Sequence, residues 1–168
     1  MNPVYLTGFM GSGKTTVGKA LAAELGLPVV DTDTYIEKMT GRRIKEIFAE
    51  QGETGFRRLE TQALKAVTKE NTVITTGGGI VLSRENREFM KKRGTVVHLR
   101  CTAEEIMRRL ANDQDRPLLR GKDMESVQRM YADRLPLYEQ CDLEIDTTGA
   151  SVETIVRRCC ARLITRSE

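Results

Sequence analysis

Gly8-Phe9-Met10-Gly11-Ser12-Gly13-Lys14-Thr15 decides how this chain is read. The octet has the spacing G-x-x-x-x-G-K-[ST] of a phosphate-binding loop. Its flanks agree with that reading. Val4-Tyr5-Leu6 is a short β-type run, and Val17, Leu21 and Leu25 then recur every fourth residue as a helical stripe. Placed between strand and helix, the glycines let successive backbone N–H groups turn toward phosphate oxygens. Lys14 brings a point charge to the β and γ phosphates, the helix N-terminus adds about half a positive charge, and the Thr15 hydroxyl is the expected ligand of Mg2+. The loop therefore implies a nucleoside triphosphate site.

Outward from the loop the pattern repeats. Gly26 is a stop signal and residues 28–30 read as a second strand, closing a βαβ unit. Helical spacing follows at 35–39, 44–50 and 54–69, then strand character at 72–75, ended by Gly77-Gly78-Gly79. A helix at 84–93 and a strand at 95–99 come next, and Thr102-Ala103-Glu104-Glu105 spells a capping box opening another helix. The stretch 112–123 is polar and reads as a loop, helices are expected at 124–138 and 151–163, and a last strand lies near 143–145. Such alternation predicts an α/β fold with a parallel sheet covered on both faces and ligands outside the carboxyl ends of its strands.

Length and composition narrow the function. A chain of 168 residues, 39% hydrophobic and 30% charged, fits one folded domain and argues against disorder. Its 27 basic and 24 acidic residues are interspersed and leave +3, which gives no footprint for nucleic acid. No apolar run is long enough for a membrane helix and no signal peptide is evident, so the expected address is the cytoplasm. Cys101, Cys141, Cys159 and Cys160 lack CxxC spacing and read as reduced thiols, the last two on a packed helix. His98, the one histidine, lies in the apolar run Val96-Val97-His98-Leu99 and reads as a core residue, which argues against a Ser-His-Asp hydrolase.

The phosphoryl acceptor must be read from other strand ends. Asp31-Thr32-Asp33 follows the second strand and offers two carboxylates, one to support hydrated Mg2+ and one for an acceptor hydroxyl. Equally, Asp33 fits as a helix cap, and Thr34 with Glu37 spells a capping box. Arg57 and Glu60 share a helix face, either as a guanidinium held for an anion or as a surface ion pair. Three consecutive glycines at 77–79 allow a ligand to approach the backbone. Arg116 lies in the polar loop, and Arg134 cannot be told from Arg129 by sequence physics.

Together the phosphate loop, Asp31-Thr32-Asp33, Gly55-Phe56-Arg57, Gly77-Gly78-Gly79, Arg116-Pro117-Leu118-Leu119 and Arg134-Leu135-Pro136-Leu137-Tyr138 resemble the shikimate kinases in order and spacing, over nearly the whole chain. The resemblance implies a single domain over 1–168: a three-layer P-loop fold with a five-stranded parallel sheet and a mobile lid at about 112–123. It implies transfer of the γ-phosphoryl group of ATP to the 3-hydroxyl of shikimate, in aromatic amino acid biosynthesis, by a monomer. By the same resemblance, Asp33, Lys14 and Arg116 are catalytic, and Gly11, Ser12, Gly13, Lys14, Thr15, Thr16, Arg109 and Arg116 bind ATP. Asp33, Arg57, Gly78, Gly79 and Arg134 bind shikimate, Glu60 orients Arg57, Thr15 meets Mg2+ directly and Asp31 meets it through water. One departure is that Thr148-Gly149-Ala150 stands where many members carry an arginine near the adenine. A small-metabolite kinase with a neutral polyol acceptor would not call for two carboxylate-binding arginines, and a nucleotide switch would need an Asn-Lys-x-Asp motif, which the sequence lacks.

Overall fold

The computed structural model describes residues 1–111 and 123–165. Five strands form one parallel sheet: β1 (Val4–Thr7), β2 (Val29–Asp31), β3 (Val73–Thr75), β4 (Thr95–Arg100) and β5 (Leu143–Asp146), in the spatial order β2-β3-β1-β4-β5. Helices α1 (Lys14–Leu25), α2 (Thr32–Thr40), α3 (Ile44–Val67), α4 (Arg84–Arg93), α5 (Ala103–Leu110), α6 (Met124–Tyr138) and α7 (Val152–Ile164) connect and cover the strands, with a 3-10 turn at Ile80–Leu82. The element order expected from the sequence is the one observed. Of the stretch read as a lid, residues 112–122, Arg116 among them, lie outside the described residues.

Two-residue periodicity divides the strands between two cores. Val4, Leu6, Val73, Val97 and Leu99 face α1 and α7, where Val17, Leu21, Ile155 and Cys159 are buried. Tyr5, Ile74 and Val96 face the other side, against Leu64 of α3, Met90 of α4, Ile106 of α5 and Tyr131 and Tyr138 of α6. His98 is buried in β4 as expected, and all four cysteines are free, with burial pushing the Cys159 thiol up to about 12.

Register brings the site together. Leu6, Thr75 and Asp31 stand in one row across β1, β3 and β2, so the phosphate loop, the glycines after Thr75 and the aspartate pair emerge at one sheet edge. Gly18 lets α1 lie against that row, because a Cβ there would overlap the Thr75 methyl group. That methyl cannot swing aside while Thr75 Oγ1 donates to Asp31 Oδ2 at 2.7 Å. Gly18→Ala should therefore destabilise the fold by about 1–3 kcal/mol despite alanine's better helix propensity, read as a lower urea midpoint at unchanged slope. An unchanged midpoint would show that α1 packs more loosely on β3 than described.

Three local expectations need correction. Asp33 does not cap α2, since Asp31 does, its Oδ1 accepting from the Thr34 backbone at 2.9 Å. The Thr34–Glu37 box is not formed, because Glu37 instead accepts from the Ile44 backbone at 3.1 Å, tying α2 to α3. At α5, Thr102 accepts from the Glu105 backbone at 3.3 Å, but the Glu105 carboxylate is held by Arg108 and Arg109 rather than returned to the cap. The helices expected at 44–50 and 54–69 meet within α3 at Gly52, whose φ of 68° breaks the run.

Candidate active site

The loop between β1 and α1 turns into its helix through Gly13, at φ 89°, a backbone state disfavoured for side chains with a Cβ. Lys14 Nζ lies within the loop, donating to the Gly8 and Phe9 carbonyls at 2.6 and 3.0 Å. Gly11, Gly13, Lys14, Thr15, Thr16, Asp31, Asp33, Thr76, Gly77, Gly78, Arg109 and Leu110 line one pocket. Arg109 reaches it from α5, donating to the Gly11 carbonyl at 2.9 Å while Glu105 holds its Nε at 3.0 Å. Buried Ser12 belongs to the loop itself, and its backbone N–H donates to the Phe9 carbonyl at 3.1 Å.

A second pocket adjoins the first, lined by Met10, Asp33, Ile44, Phe48, Phe56, Arg57, Glu60, Gly77, Gly78, Gly79 and Arg134. The two share Asp33, Gly77 and Gly78. The break at Gly52 lets the first part of α3 fold over the second, so that Phe48 meets Phe56 at 4.8 Å between ring centroids and forms the apolar wall. Arg57 Nη1 donates to Glu60 Oε1 at 2.9 Å, and Glu60 is fully buried, so this pair is not the solvated surface bridge that spacing alone allowed. Arg134, also buried, lies over the Phe9 ring with its guanidinium carbon 5.8 Å from the centroid.

The electrostatics are concentrated here. Five buried side-chain polar atoms have no hydrogen-bond partner among the described residues, and four belong to this second pocket: Asp33 Oδ1, Arg57 Nε, Glu60 Oε2 and Arg134 Nη1. Buried polar atoms are costly when unpaired, so such a cluster marks a surface shaped for a polar ligand. Two guanidinium groups suit a carboxylate and Asp33 suits a hydroxyl. Burial, reinforced by Glu60 and Asp31 and opposed by Lys14 and Arg57, raises the Asp33 carboxyl to about 7. Burial likewise raises Glu60, outweighing Arg57 beside it.

Asp31 and Thr15 offer oxygen donors in the nucleotide-side pocket, the chemistry a Mg2+ ion requires. The Asp31 carboxylate already accepts from Thr34 and Thr75, which suits contact through water rather than direct ligation. Among the described residues no cluster of three His, Cys, Asp or Glu side chains could cage a metal.

Sequence reasoning named every polar residue of the two pockets that falls within the described residues, except Thr76. It assigned no role to the apolar wall, Met10, Ile44 and Phe48, because Met10 stands at a variable position of the loop octet and Ile44 and Phe48 show only helical spacing. It also missed the residues behind the site: Thr32, which accepts from the Gly77 N–H at 3.2 Å, and Tyr138, which donates to the Gly78 carbonyl.

Known proteins are similar in both sequence and fold. A family model described as shikimate kinase matches residues 10–164. A shikimate kinase of Bacillus anthracis is 47% identical over 156 residues, covering 93% of this chain and 94% of that protein. One from Geobacter metallireducens is 48% identical over 155 residues, covering 91% and 87%. The solved structure of shikimate kinase from Acinetobacter baumannii in complex with shikimate superposes with a TM-score of 0.93 at 38% identity, covering 99% of this chain and 94% of that one. With relatives alike over almost its whole length in sequence and in fold, the chain belongs to the shikimate kinase family.

Proposed function

We propose that this chain transfers the γ-phosphoryl group of ATP to the 3-hydroxyl of shikimate, with the nucleotide in the pocket of Lys14 and the acid in the pocket of Arg57 and Arg134. The observation that carries this reading is the common wall of Asp33, Gly77 and Gly78: a hydroxyl at Asp33 faces both chambers at once. The acceptor oxygen forms a bond to the γ-phosphorus, the bond to the β–γ bridging oxygen breaks, ADP leaves, and the hydroxyl proton passes to the Asp33 carboxylate. Lys14 stabilises charge on the transferring group, and Arg57 and Arg134 hold the acid by its carboxylate. Glu60 fixes the Arg57 fork from behind. Thr15 and Asp31 would hold Mg2+, Asp31 through water, and the ion would supply neutralisation of phosphate charge. Free thiols at all four cysteines support a reducing compartment such as the cytoplasm. No described helix is long and apolar enough to cross a membrane. We read the chain as one domain, because its sheet and both covering layers form a single continuous body, and propose that it acts as a monomer.

A coupled assay of ADP release, run with ATP and Mg2+ and with shikimate, gluconate, a nucleoside monophosphate or no acceptor, tests the reaction. ADP dependent on shikimate alone is expected; release with another acceptor, or with none, would overturn the assignment. Gly79→Ala tests the clamp. Its φ of −94° suits alanine, yet a Cβ would overlap the Arg57 guanidinium. The variant should melt within about 2 °C of the parent, because a flexible side-chain end can move, while the KM for shikimate rises about tenfold. An unchanged KM would mean that the position of Arg57 beside Gly79 is immaterial.

A further inference from the structure

The Tyr138 side chain is buried at the C-terminal end of α6, four residues after Arg134, and does not itself line either pocket. Its hydroxyl donates to the carbonyl of Gly78, one of the three residues shared by the two pockets. Its ring stacks on His98 at 5.1 Å between centroids and 13° between planes. His98 Nδ1 is 3.2 Å from Glu144 Oε2, and Glu144 Oε1 accepts from Arg100 at 3.1 Å. These are cross-strand neighbours, with His98 paired to Glu144 in the β4–β5 register. The ring is thus braced by the sheet, the part of the fold with least freedom to move.

Such bracing determines a backbone orientation. In a trans peptide the carbonyl and the following N–H point in opposite directions, so fixing the Gly78 carbonyl also fixes the Gly79 N–H. Glycine lacks the Cβ that elsewhere restricts a peptide's tilt, and three in succession leave this segment short of internal constraint. On one side Gly77 is held through its N–H by Thr32, and on the other the Ile80 and Leu82 N–H groups return to Gly77 and Gly79. Between these anchors the Gly78–Gly79 peptide is fixed by Tyr138.

We propose that Tyr138 is a positioning residue for the acid acceptor, its sheet-braced hydroxyl setting the orientation of the Gly78–Gly79 peptide that lines the acid pocket beside Arg57. The proposal rests on the reading of that pocket as the shikimate site. Burial holds the phenol above its ordinary range, so the hydroxyl keeps its proton and remains a donor. Burial also lowers His98, against the pull of Glu144, and a neutral ring beside a carboxylate carries its proton on Nδ1. The brace consequently adds no charge to the core.

Tyr138→Phe keeps the stacked ring and removes the hydroxyl, with its donation to Gly78 and its contact with the Arg134 guanidinium. Expected is a rise of about tenfold in the KM for shikimate, the effect of one lost hydrogen bond, with a parallel weakening of shikimate binding by calorimetry. The KM for ATP should stay within about twofold, because the nucleotide-binding loop keeps its own contacts. A role confined to folding would move both constants together and lower the melting temperature; that pattern overturns the proposal, as does a KM for shikimate unchanged from the parent. Assaying the parent alongside separates the two levels. A parent that releases no ADP with shikimate overturns the site assignment and this proposal with it, whereas an active parent matched by Tyr138→Phe overturns the role of Tyr138 alone.

Discussion

Replacing Asp33 with asparagine should lower kcat by about 10²–10⁴-fold, the usual worth of a positioned general base, and leave the KM for ATP within about twofold, because the change touches the acceptor rather than the nucleotide. The pH dependence is equally specific. With its carboxyl raised to about 7, Asp33 is a competent base only as pH climbs through neutrality, so kcat/KM of the parent should rise there and the residual rate of the variant should not. Stability runs the opposite way. A carboxyl raised above its ordinary 3.8 contributes stability that is complete below that value and lost as pH climbs through about 7. The parent thus carries an unfavourable ionised carboxylate at pH 8 that asparagine lacks. Asp33→Asn should melt higher than the parent at pH 8, and the gap should close toward pH 4. A variant that is both fully active and no more stable at pH 8 would remove Asp33 from the mechanism.

Arg57→Ala should raise the KM for shikimate by about 10²-fold, the scale for truncating one partner of a buried, hydrogen-bonded charge pair, with a smaller effect on kcat. Two losses combine: the acid loses one guanidinium, and Glu60 is left buried beside no cation at its Oε1. Arg57→Lys should recover little, because an ammonium cannot engage Glu60 and the acid with the same planar fork. Isothermal titration with shikimate checks both variants. An affinity that survives either change would place the carboxylate elsewhere.

The positions that periodicity and punctuation control were legible in advance. The loop octet, the stripe of Val17, Leu21 and Leu25, and the apolar run of β4 are legible along the chain, and the structure carries them as read. Asp31 and Asp33 were ambiguous because both stand where a helix begins; only the direction each side chain takes shows that one caps α2 and the other enters the pocket. Arg134 and Arg129 differ by burial, which depends on Phe9 lying opposite and is invisible along the chain. Phe48 had no sequence signal, since it reaches the site through the turn at Gly52. Tyr138 was missed for a similar reason: its partner, Gly78, is 60 positions away.

The shared wall of Asp33, Gly77 and Gly78 also makes the enzyme modular for engineering. Ile44, Phe48 and Phe56 border only the acid chamber, and Thr15, Thr16 and Arg109 only the nucleotide chamber. Acceptor choice can therefore be varied from the α3 side without rewriting the nucleotide half. The partition itself tolerates little change: a Cβ at Gly77 would lie 2.6 Å from Glu60 Oε2 and 3.1 Å from Asp33 Oδ1, and one at Gly78 would lie 3.1 Å from the Met10 backbone nitrogen. Libraries aimed at new acceptor acids should hold the partition fixed and diversify the aromatic side of the chamber.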